Sequence, residues 1–208
     1  RMAEEAGVTL LYHSYIISAE MKDNRVKSVK CAGSSGCFDI EADYFIDATG
    51  DANLAYLCGY PFRLGRESDN LCQPMTLCFR IANIDNKVCE NIPYAQINEL
   101  YNRLQNEGKI TNPRENVLIF KTLTDGILHF NTTRVVKLNP TDPFDLTKAE
   151  IIAREQVMEI YLMLKRNIPG FENSRLIMTA PEIGIRESRM IDGEYTLTGE
   201  VLKACTVF

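Results

Sequence analysis

Three arginines stand in polar segments that could bind an anion. Arg134 closes the segment NTTR, which also contains Asn131 and Thr132, and Arg186 and Arg189 stand in the charged segment EIGIRESR. A guanidinium holds a carboxylate through two parallel hydrogen bonds and stays charged when it is partly buried. If the two segments meet, they predict an anion site with the Asn131 amide and the Thr132 hydroxyl as neutral partners.

Structural roles compete with this interpretation. Arg186 could pair with Glu182, and Arg189 with Glu187, in ion pairs that hold two parts of the protein together. The sequence supports ligand contact and structural pairing equally. His129 precedes the same segment in a strand pattern, where a single histidine is more often structural than catalytic, so it is the weakest candidate.

A second candidate site lies in the segment DYFIDATGD at 43–51. Residues 44–46 are β-forming, the small residues ATG follow, and Asp51 can cap a helix whose last turn closes at Gly59. A strand, a small-residue turn and a helix start together bring backbone N–H groups close to a bound ligand. A tight turn without a ligand is the alternative.

Short strands surround this turn on its N-terminal side. A helix end at 1–6 is closed by Gly7, and the apolar run VTLLY at 8–12 predicts a strand buried in a parallel sheet. Polar and glycine-rich turns then separate three short antiparallel strands, at 15–21, 26–32 and 38–42. A fragment of a β-sandwich is the alternative, but it does not explain the helix–Gly–strand opening.

The rest of the chain predicts a sheet with helices packed on it. A strand at 75–84 places Met75, Leu77, Phe79 and Ile81 on one face and Arg80 on the other. The remaining elements follow from periodicity and turn signals. They are a helix at 94–107, a hairpin of 117–122 with 127–136 around Asp125-Gly126, a helix at 147–167, a short apolar run at 176–178, and a helix start at 196–203 capped by Thr198. The helix at 147–167 begins with a capping box of Thr147 and Glu150. Its apolar stripe consists of Ala149, Ile152, Ala153, Val157, Ile160, Tyr161 and Leu164.

Composition excludes several classes of protein. The net charge is −5 with no run of basic residues, so a nucleic-acid partner is not expected. No apolar stretch approaches the length of a membrane span. The 7 cysteines form no C-x-x-C pair, and only 2 histidines are present, so we expect no metal site but reduced, mostly buried thiols in a cytoplasmic protein.

Four blocks of the chain resemble the FAD-dependent oxidoreductases, the flavoproteins with two dinucleotide-binding domains. The blocks are 43–59, 73–81 (QPMTLCFRI), 131–135 (NTTRV) and 184–198 (GIRESRMIDGEYTLT). The resemblance implies that Thr49 and Gly50 approach FAD with their backbone, whereas Asp51 caps the helix or accepts a hydrogen bond from the ribityl chain. It also places 131–135 near the reactive side of the flavin.

The glycine fingerprint that holds the pyrophosphate of a dinucleotide, G-x-G-x-x-G between a strand and a helix, is absent from the sequence. We therefore expect this chain to be a fragment, with further FAD-domain segments upstream and downstream, and not to retain FAD alone. The predicted fold is α+β: residues 1–59 are the remnant of an α/β FAD domain, 60–179 a substrate domain, and 180–208 a segment returning to the FAD domain.

The predicted function is hydride transfer between a small anionic substrate and flavin. Arg134, Arg186 and Arg189 would bind the substrate, with Asn131, Thr132 and, least securely, His129. A nicotinamide-dependent dehydrogenase and a non-catalytic binding or interaction domain are the alternatives. The three-strand excursion before ATG argues against the dehydrogenase.

Overall fold

The computed structural model describes residues 2–206, which form two compact units. One unit contains the chain up to Leu64 together with the chain from Arg189, and the other is Gly65–Ser188. The sequence had suggested boundaries after 59 and after 179. Every strand pair between 2 and 206 is antiparallel, in three small sheets, so the α+β class is confirmed.

Six helices and nine strands lie within residues 2–206. In chain order they are α1 (Met2–Glu5), β1 (Tyr15–Lys22), β2 (Arg25–Gly33), β3 (Gly36–Glu41), α2 (Asn53–Leu57), β4 (Phe62–Leu64), β5 (Phe79–Ala82), α3 (Asn86–Cys89), α4 (Tyr94–Asn106), β6 (Ile119–Lys121), β7 (Leu128–Phe130), α5 (Pro143–Asn167), β8 (Arg175–Thr179), β9 (Arg189–Ile191) and α6 (Gly199–Lys203).

The first unit contains the predicted three-stranded antiparallel sheet. Its order is β1-β2-β3, and β4 pairs separately with β9. Val29, Cys31 and Leu54 form the buried centre of its core, so the sheet packs against α2. Thr198 caps α6 by accepting a hydrogen bond from the Val201 N–H at 3.3 Å, as predicted.

Two predicted strands of the first unit are wrong. Residues 8–12 and 44–46 form no strand. Their apolar side chains are mostly exposed, with Tyr12 at 73% and Ile46 at 90%, and Phe45 alone among them packs partly buried against the core. A strand forms only where a neighbour accepts and donates its backbone hydrogen bonds. Neither segment finds such a neighbour within residues 2–206, although both have the residue types of buried strands.

The second unit is a four-stranded antiparallel sheet with helices over one face. The strand order is β6-β7-β5-β8. Met75, Leu77, Phe79 and Ile81 are at most 2% exposed, and Arg80 lies on the opposite, exposed face, as the alternation predicts. Buried side chains of α4 and α5 belong to the same core, so the prediction that the long helix packs its apolar stripe on this sheet is confirmed.

The strand predicted at 75–84 has a regular ladder only from Phe79 to Ala82. Before it, Met75 and Thr76 form single bridges with Val135 and Gly184. The ladder is interrupted because the backbone of Leu77 pairs with a threonine side chain instead of another backbone (described below). The predicted hairpin is confirmed as β6 and β7, although both strands are shorter than expected.

The long helix α5 begins four residues before the predicted start. Asp142 is its N-cap, with Oδ1 accepting from the N–H groups of Phe144 and Asp145 at 2.9 Å, and Pro143 is the first helical residue. The predicted capping box is therefore wrong. Thr147 lies inside the helix, where its hydroxyl donates to the Pro143 carbonyl at 2.8 Å.

Two smaller expectations also fail. Ile152 of the predicted buried stripe is 37% exposed, because the helix turns it toward its outer face. Of the seven cysteines, all free thiols, only Cys31 is buried, while Cys37 and Cys205 are exposed, so the expectation of mostly buried thiols is wrong. Among the described residues, no helix combines the length and the apolar character needed to cross a membrane.

Candidate functional site

The ATG turn is organised by Asp47. Its Oδ1 accepts hydrogen bonds from the Thr49 N–H at 3.0 Å and the Thr49 hydroxyl at 2.7 Å, and its Oδ2 accepts from the Ala55 N–H at 3.0 Å. Partial burial alone would raise the pKa of Asp47, but these hydrogen bonds outweigh it and lower the pKa below its ordinary value. The carboxylate is therefore ionised and occupied in holding the turn.

The cap of helix α2 differs from the prediction. Asp51 does not cap it; Ala52 occupies the N-cap position with φ 52°, and the Thr49 hydroxyl accepts from the Asn53 N–H at 2.9 Å. Asp51 is displaced because Thr49, together with Asp47, already reaches the exposed N–H groups at the start of the helix.

Of the residues predicted to meet FAD, Gly50 has the most open backbone. Its φ is 81°, and no heavy atom lies within 4 Å of where a Cβ would be. Thr49, by contrast, already uses both its N–H and its hydroxyl within the turn. The turn thus fits a close backbone contact with a nucleotide at Gly50, but no loop for the pyrophosphate stands beside it in the sequence.

Arg189 fastens strand β9 to this turn. Its Nη1 donates to the Asp51 carbonyl at 3.0 Å and to the Asn53 side-chain oxygen at 2.9 Å. The guanidinium carbon lies 4.2 Å from the centre of the Tyr56 ring and 5.8 Å from that of Phe62. Arg189 therefore forms hydrogen bonds with Asp51 and Asn53 and cation–π interactions with Tyr56 and Phe62, all within the first unit.

Thr132 and Thr133 each form hydrogen bonds with both the backbone N–H and the backbone carbonyl of one residue in a neighbouring segment. The Thr133 hydroxyl accepts from the Leu77 N–H at 2.7 Å and donates to the Leu77 carbonyl at 3.0 Å. The Thr132 hydroxyl does the same with Leu118, at 2.9 Å and 3.1 Å. Both side chains are 0% exposed. The hydroxyl of Thr132 therefore acts in the fold, and its contact with a ligand stays a prediction.

Arg134 is held on both its backbone and its side chain. Gln156, 2% exposed in α5, accepts from the Arg134 N–H at 2.9 Å and donates to the Arg134 carbonyl at 3.0 Å. The Arg134 Nη1 donates to both carboxylate oxygens of Glu115, at 2.8 Å and 3.0 Å. The Arg134 side chain is 26% exposed and that of Glu115 is 74% exposed.

Arg186 lies in the same unit as Arg134, on the segment bridged to Thr76 through Gly184. No ion pair between Arg186 and Glu182 is formed in the described part of the chain. Glu187, the partner considered for Arg189, accepts a hydrogen bond from the Gln73 N–H at 2.8 Å. Neither structural ion pair considered from the sequence accounts for the arginines.

Arg114 is a fourth arginine, which the sequence reasoning missed. Burial, and then the positive charges of Arg134 and Arg186, lower the pKa of Arg114, while Glu115 opposes this shift. Arg134 and Arg186 therefore each lie close enough to Arg114 to repel it. Its segment, PREN at 113–116, has no periodicity that could have identified it; a charged residue beside a predicted strand was the sole signal.

His129 and Asn131 lie on the open face of the four-stranded sheet. They line a groove of ≈ 900 Å³ with Arg80 and Phe120. The His129 Nδ1 and the Asn131 Oδ1 are buried atoms without a hydrogen-bond partner among residues 2–206. Burial, and then the charge of Arg80, lower the pKa of His129, so the imidazole is neutral at pH 7.

Comparison with known proteins gives a match at the level of a family. Neither the curated proteins nor the solved structures include a significant relative of the chain. The sequence model of a family described as FAD dependent oxidoreductase matches residues 1–208, the full length of the chain. The chain therefore belongs to the FAD-dependent oxidoreductase family.

Proposed function

We propose that this chain is part of an FAD-dependent oxidoreductase that transfers a hydride between a small anionic substrate and the flavin. The first unit contributes to FAD binding, and the second unit binds the substrate. The observation that carries this proposal is the family match over residues 1–208. The three antiparallel strands that lead into the ATG turn support the assignment of the first unit.

In this proposal, Gly50 is the closest backbone contact to FAD, and Asp47 and Thr49 keep the turn in shape. Bound FAD supplies the group that accepts or donates the hydride. Thr49 contributes through its backbone, because its hydroxyl is used within the turn. Asp51 stays a proposed contact of FAD, although its carbonyl already accepts a hydrogen bond from Arg189.

We further propose that the chain belongs to a longer protein. Residues 8–12 and 44–46, whose apolar side chains are mostly exposed, would then pair with further strands of the FAD domain. Such strands are buried on both faces in parallel sheets, which agrees with their continuous apolar character. The missing glycine fingerprint agrees with the same proposal.

The substrate site is proposed at Arg134 and Arg186, with the Asn131 amide as a neutral partner. Arg134 suits this role because a single nitrogen of its guanidinium carries both contacts to Glu115. The remaining nitrogens form no hydrogen bond within residues 2–206 and can meet a carboxylate. Thr132 positions this segment, and His129 stays the weakest candidate.

An absorbance spectrum tests the flavin assignment. The intact protein should be purified with the visible absorbance bands of bound flavin, which neither a nicotinamide-dependent dehydrogenase nor a simple binding domain would show. The 208-residue chain alone should lose FAD on gel filtration. Stoichiometric flavin on the chain alone would contradict the proposal that it is a part of the FAD domain.

A substitution tests the substrate site once a substrate of the intact enzyme is known. Arg134→Lys should lower kcat/KM by about 1–3 kcal/mol of transition-state binding, because lysine cannot reproduce the two parallel hydrogen bonds. Arg103→Lys, on the exposed side of α4, is the matched control. An unchanged kcat/KM for Arg134→Lys with full flavin content would refute the assignment.

A further inference from the structure

We propose that the groove on the open face of the four-stranded sheet binds an organic carboxylate, with Arg80 holding the carboxylate and Phe120 packing on the apolar body of the ligand. The inference goes beyond the proposed function, because neither Arg134 nor Arg186 lines this groove. It assigns a ligand contact to Arg80, which the sequence had placed only on the face of its strand opposite the core.

Three side chains of the groove form one row across neighbouring strands. Arg80 of β5 lies directly opposite His129 of β7, and His129 lies directly opposite Phe120 of β6. Residues opposite each other in an antiparallel pair share a face of the sheet, with their Cβ atoms about 4.5–5.5 Å apart. The ring centres of Phe120 and His129 are 6.1 Å apart. The order across the sheet is therefore guanidinium, imidazole, phenyl ring.

The row lies in the groove of ≈ 900 Å³, and the hairpin of β6 and β7 contributes Leu123 and Ile127 to the wall. A volume of this size accommodates a small organic molecule. Phe120 is 47% exposed and Leu123 is fully exposed, so apolar surface borders the row. A ligand with a ring or a hydrocarbon body would remove this surface from water.

Arg80 is a charged side chain of the groove without a counter-ion in the described part of the chain. Its guanidinium forms no hydrogen bond or ion pair within residues 2–206, and no carboxylate in that range lines the groove. The second cation of the groove, Lys121, donates to Glu90 at 2.8 Å and is further attracted by Asp125. The Arg80 guanidinium can therefore offer two parallel hydrogen bonds to a carboxylate.

His129 places a neutral ring beside this guanidinium. Its Nδ1 is closed to solvent, so Nε2 is the ring nitrogen that is open to a ligand. Burial, and then the charge of Arg80, lower the pKa of His129. A neutral imidazole carries its proton on either nitrogen, and a carboxylate beside Nε2 favours the tautomer with the proton there. The ring then donates one hydrogen bond without adding a second positive charge.

These features specify the class of ligand. One guanidinium beside a neutral imidazole suits a single carboxylate better than a doubly charged group, because just one positive charge faces it. The apolar wall selects a carboxylate with an apolar body over a small hydrophilic anion. The groove thus fits an aromatic or hydrocarbon monocarboxylate.

Nuclear magnetic resonance of the histidines tests the proposal with defined probes. The chain has two histidines, His13 in the first unit and His129 in the second. The full 208-residue chain with isotope-labelled histidine is titrated with benzoate, benzamide and acetate at constant ionic strength. We expect benzoate to shift the His129 ring resonances to saturation and to leave those of His13 unchanged. Benzamide lacks the charge and acetate lacks the ring, so each should bind about tenfold more weakly or worse.

Substitutions assign the contacts. Arg80→Gln should weaken benzoate binding about tenfold or more, because the charge-assisted hydrogen bonds are lost. Phe120→Ala should weaken the binding of benzoate but not that of acetate. Arg103→Gln, on the exposed side of α4, is the matched control and should bind as the wild type does. Equal benzoate binding by Arg80→Gln and Arg103→Gln would overturn the proposal, as would equal binding of acetate and benzoate by the wild type.

The titration of His129 gives a second readout. Without ligand, Arg80→Gln should raise the pKa of His129, because a nearby positive charge is removed. Bound benzoate should raise the same pKa in the wild type by adding a negative charge. An unchanged pKa in folded Arg80→Gln would show that the guanidinium does not face the imidazole and would contradict the proposal. None of these measurements depends on flavin, so their failure leaves the flavin assignment standing.

Discussion

Replacing Thr133 by valine should destabilise the second unit strongly, although the two side chains have the same shape. The substitution removes the hydroxyl that satisfies both the N–H and the carbonyl of Leu77, a residue that is 0% exposed. No cavity is created, so the cost comes from two buried backbone groups left without partners, at about 1–3 kcal/mol each. We expect a loss of about 2–4 kcal/mol in the free energy of unfolding.

The same substitution at Thr132 should cost less, about 1–2 kcal/mol, because its partner Leu118 is partly accessible to water, which can replace the hydroxyl. Thr124→Val is the control, since that residue is exposed and its own hydroxyl forms no hydrogen bond within residues 2–206. It should change the free energy by less than about 0.5 kcal/mol.

Urea unfolding followed by circular dichroism measures the free energies, and amide hydrogen exchange gives a local readout. The Leu77 amide should exchange faster in Thr133→Val, and the Leu118 amide in Thr132→Val. Equal stability of Thr133→Val and Thr124→Val, with unchanged exchange at Leu77, would refute the reasoning. If Thr132→Val keeps its stability but the intact enzyme loses activity, the Thr132 hydroxyl acts on a ligand rather than in the fold.

Three further predictions follow from buried or capping groups. Gln156→Met should cost about 2–4 kcal/mol in urea unfolding, since the N–H and carbonyl of Arg134 lose their partners; an unchanged midpoint would contradict this. Asp142→Ala should cost about 1 kcal/mol by removing the cap of α5, and no loss would show that water replaces it. His129 has a pKa lowered from 6.5, so the unfolded chain takes up its proton more readily and stability falls as the pH drops below about 6.5. His129→Gln should weaken the difference in stability between pH 7.5 and pH 5.5, and an unchanged difference would contradict this.

The sequence predicted the elements that local periodicity determines. Most of the predicted stripe of α5 is buried as expected, and Ile97 and Tyr101 of α4 are buried too, because a helix that covers a sheet must turn its apolar face to it. The alternation from Met75 to Ile81 likewise identified the buried face of the central strand.

Features that depend on distant partners could not be predicted. Residues 8–12 have the composition of a buried strand, but a strand also needs a neighbour, which composition does not reveal. The N-caps of α2 and α5 differ from the predicted ones because the side chains of Asp47, Thr49 and Asp142 accept the hydrogen bonds of the first helical N–H groups. Local patterns had favoured other residues for this role. Arg114 was missed because its surroundings, such as the Gln105 side chain that donates to its carbonyl, lie nearby only in the folded chain.

The irregular pairing around residues 131–135 also positions Arg134. In a regular ladder each backbone group pairs with another backbone, and the strand follows the twist of the sheet. Here Thr132, Thr133 and Gln156 provide these partners with their side chains, which fixes the backbone on both sides of Arg134 without a regular ladder. The freedom of Arg134 is thus reduced before any ligand arrives, so binding loses less conformational entropy.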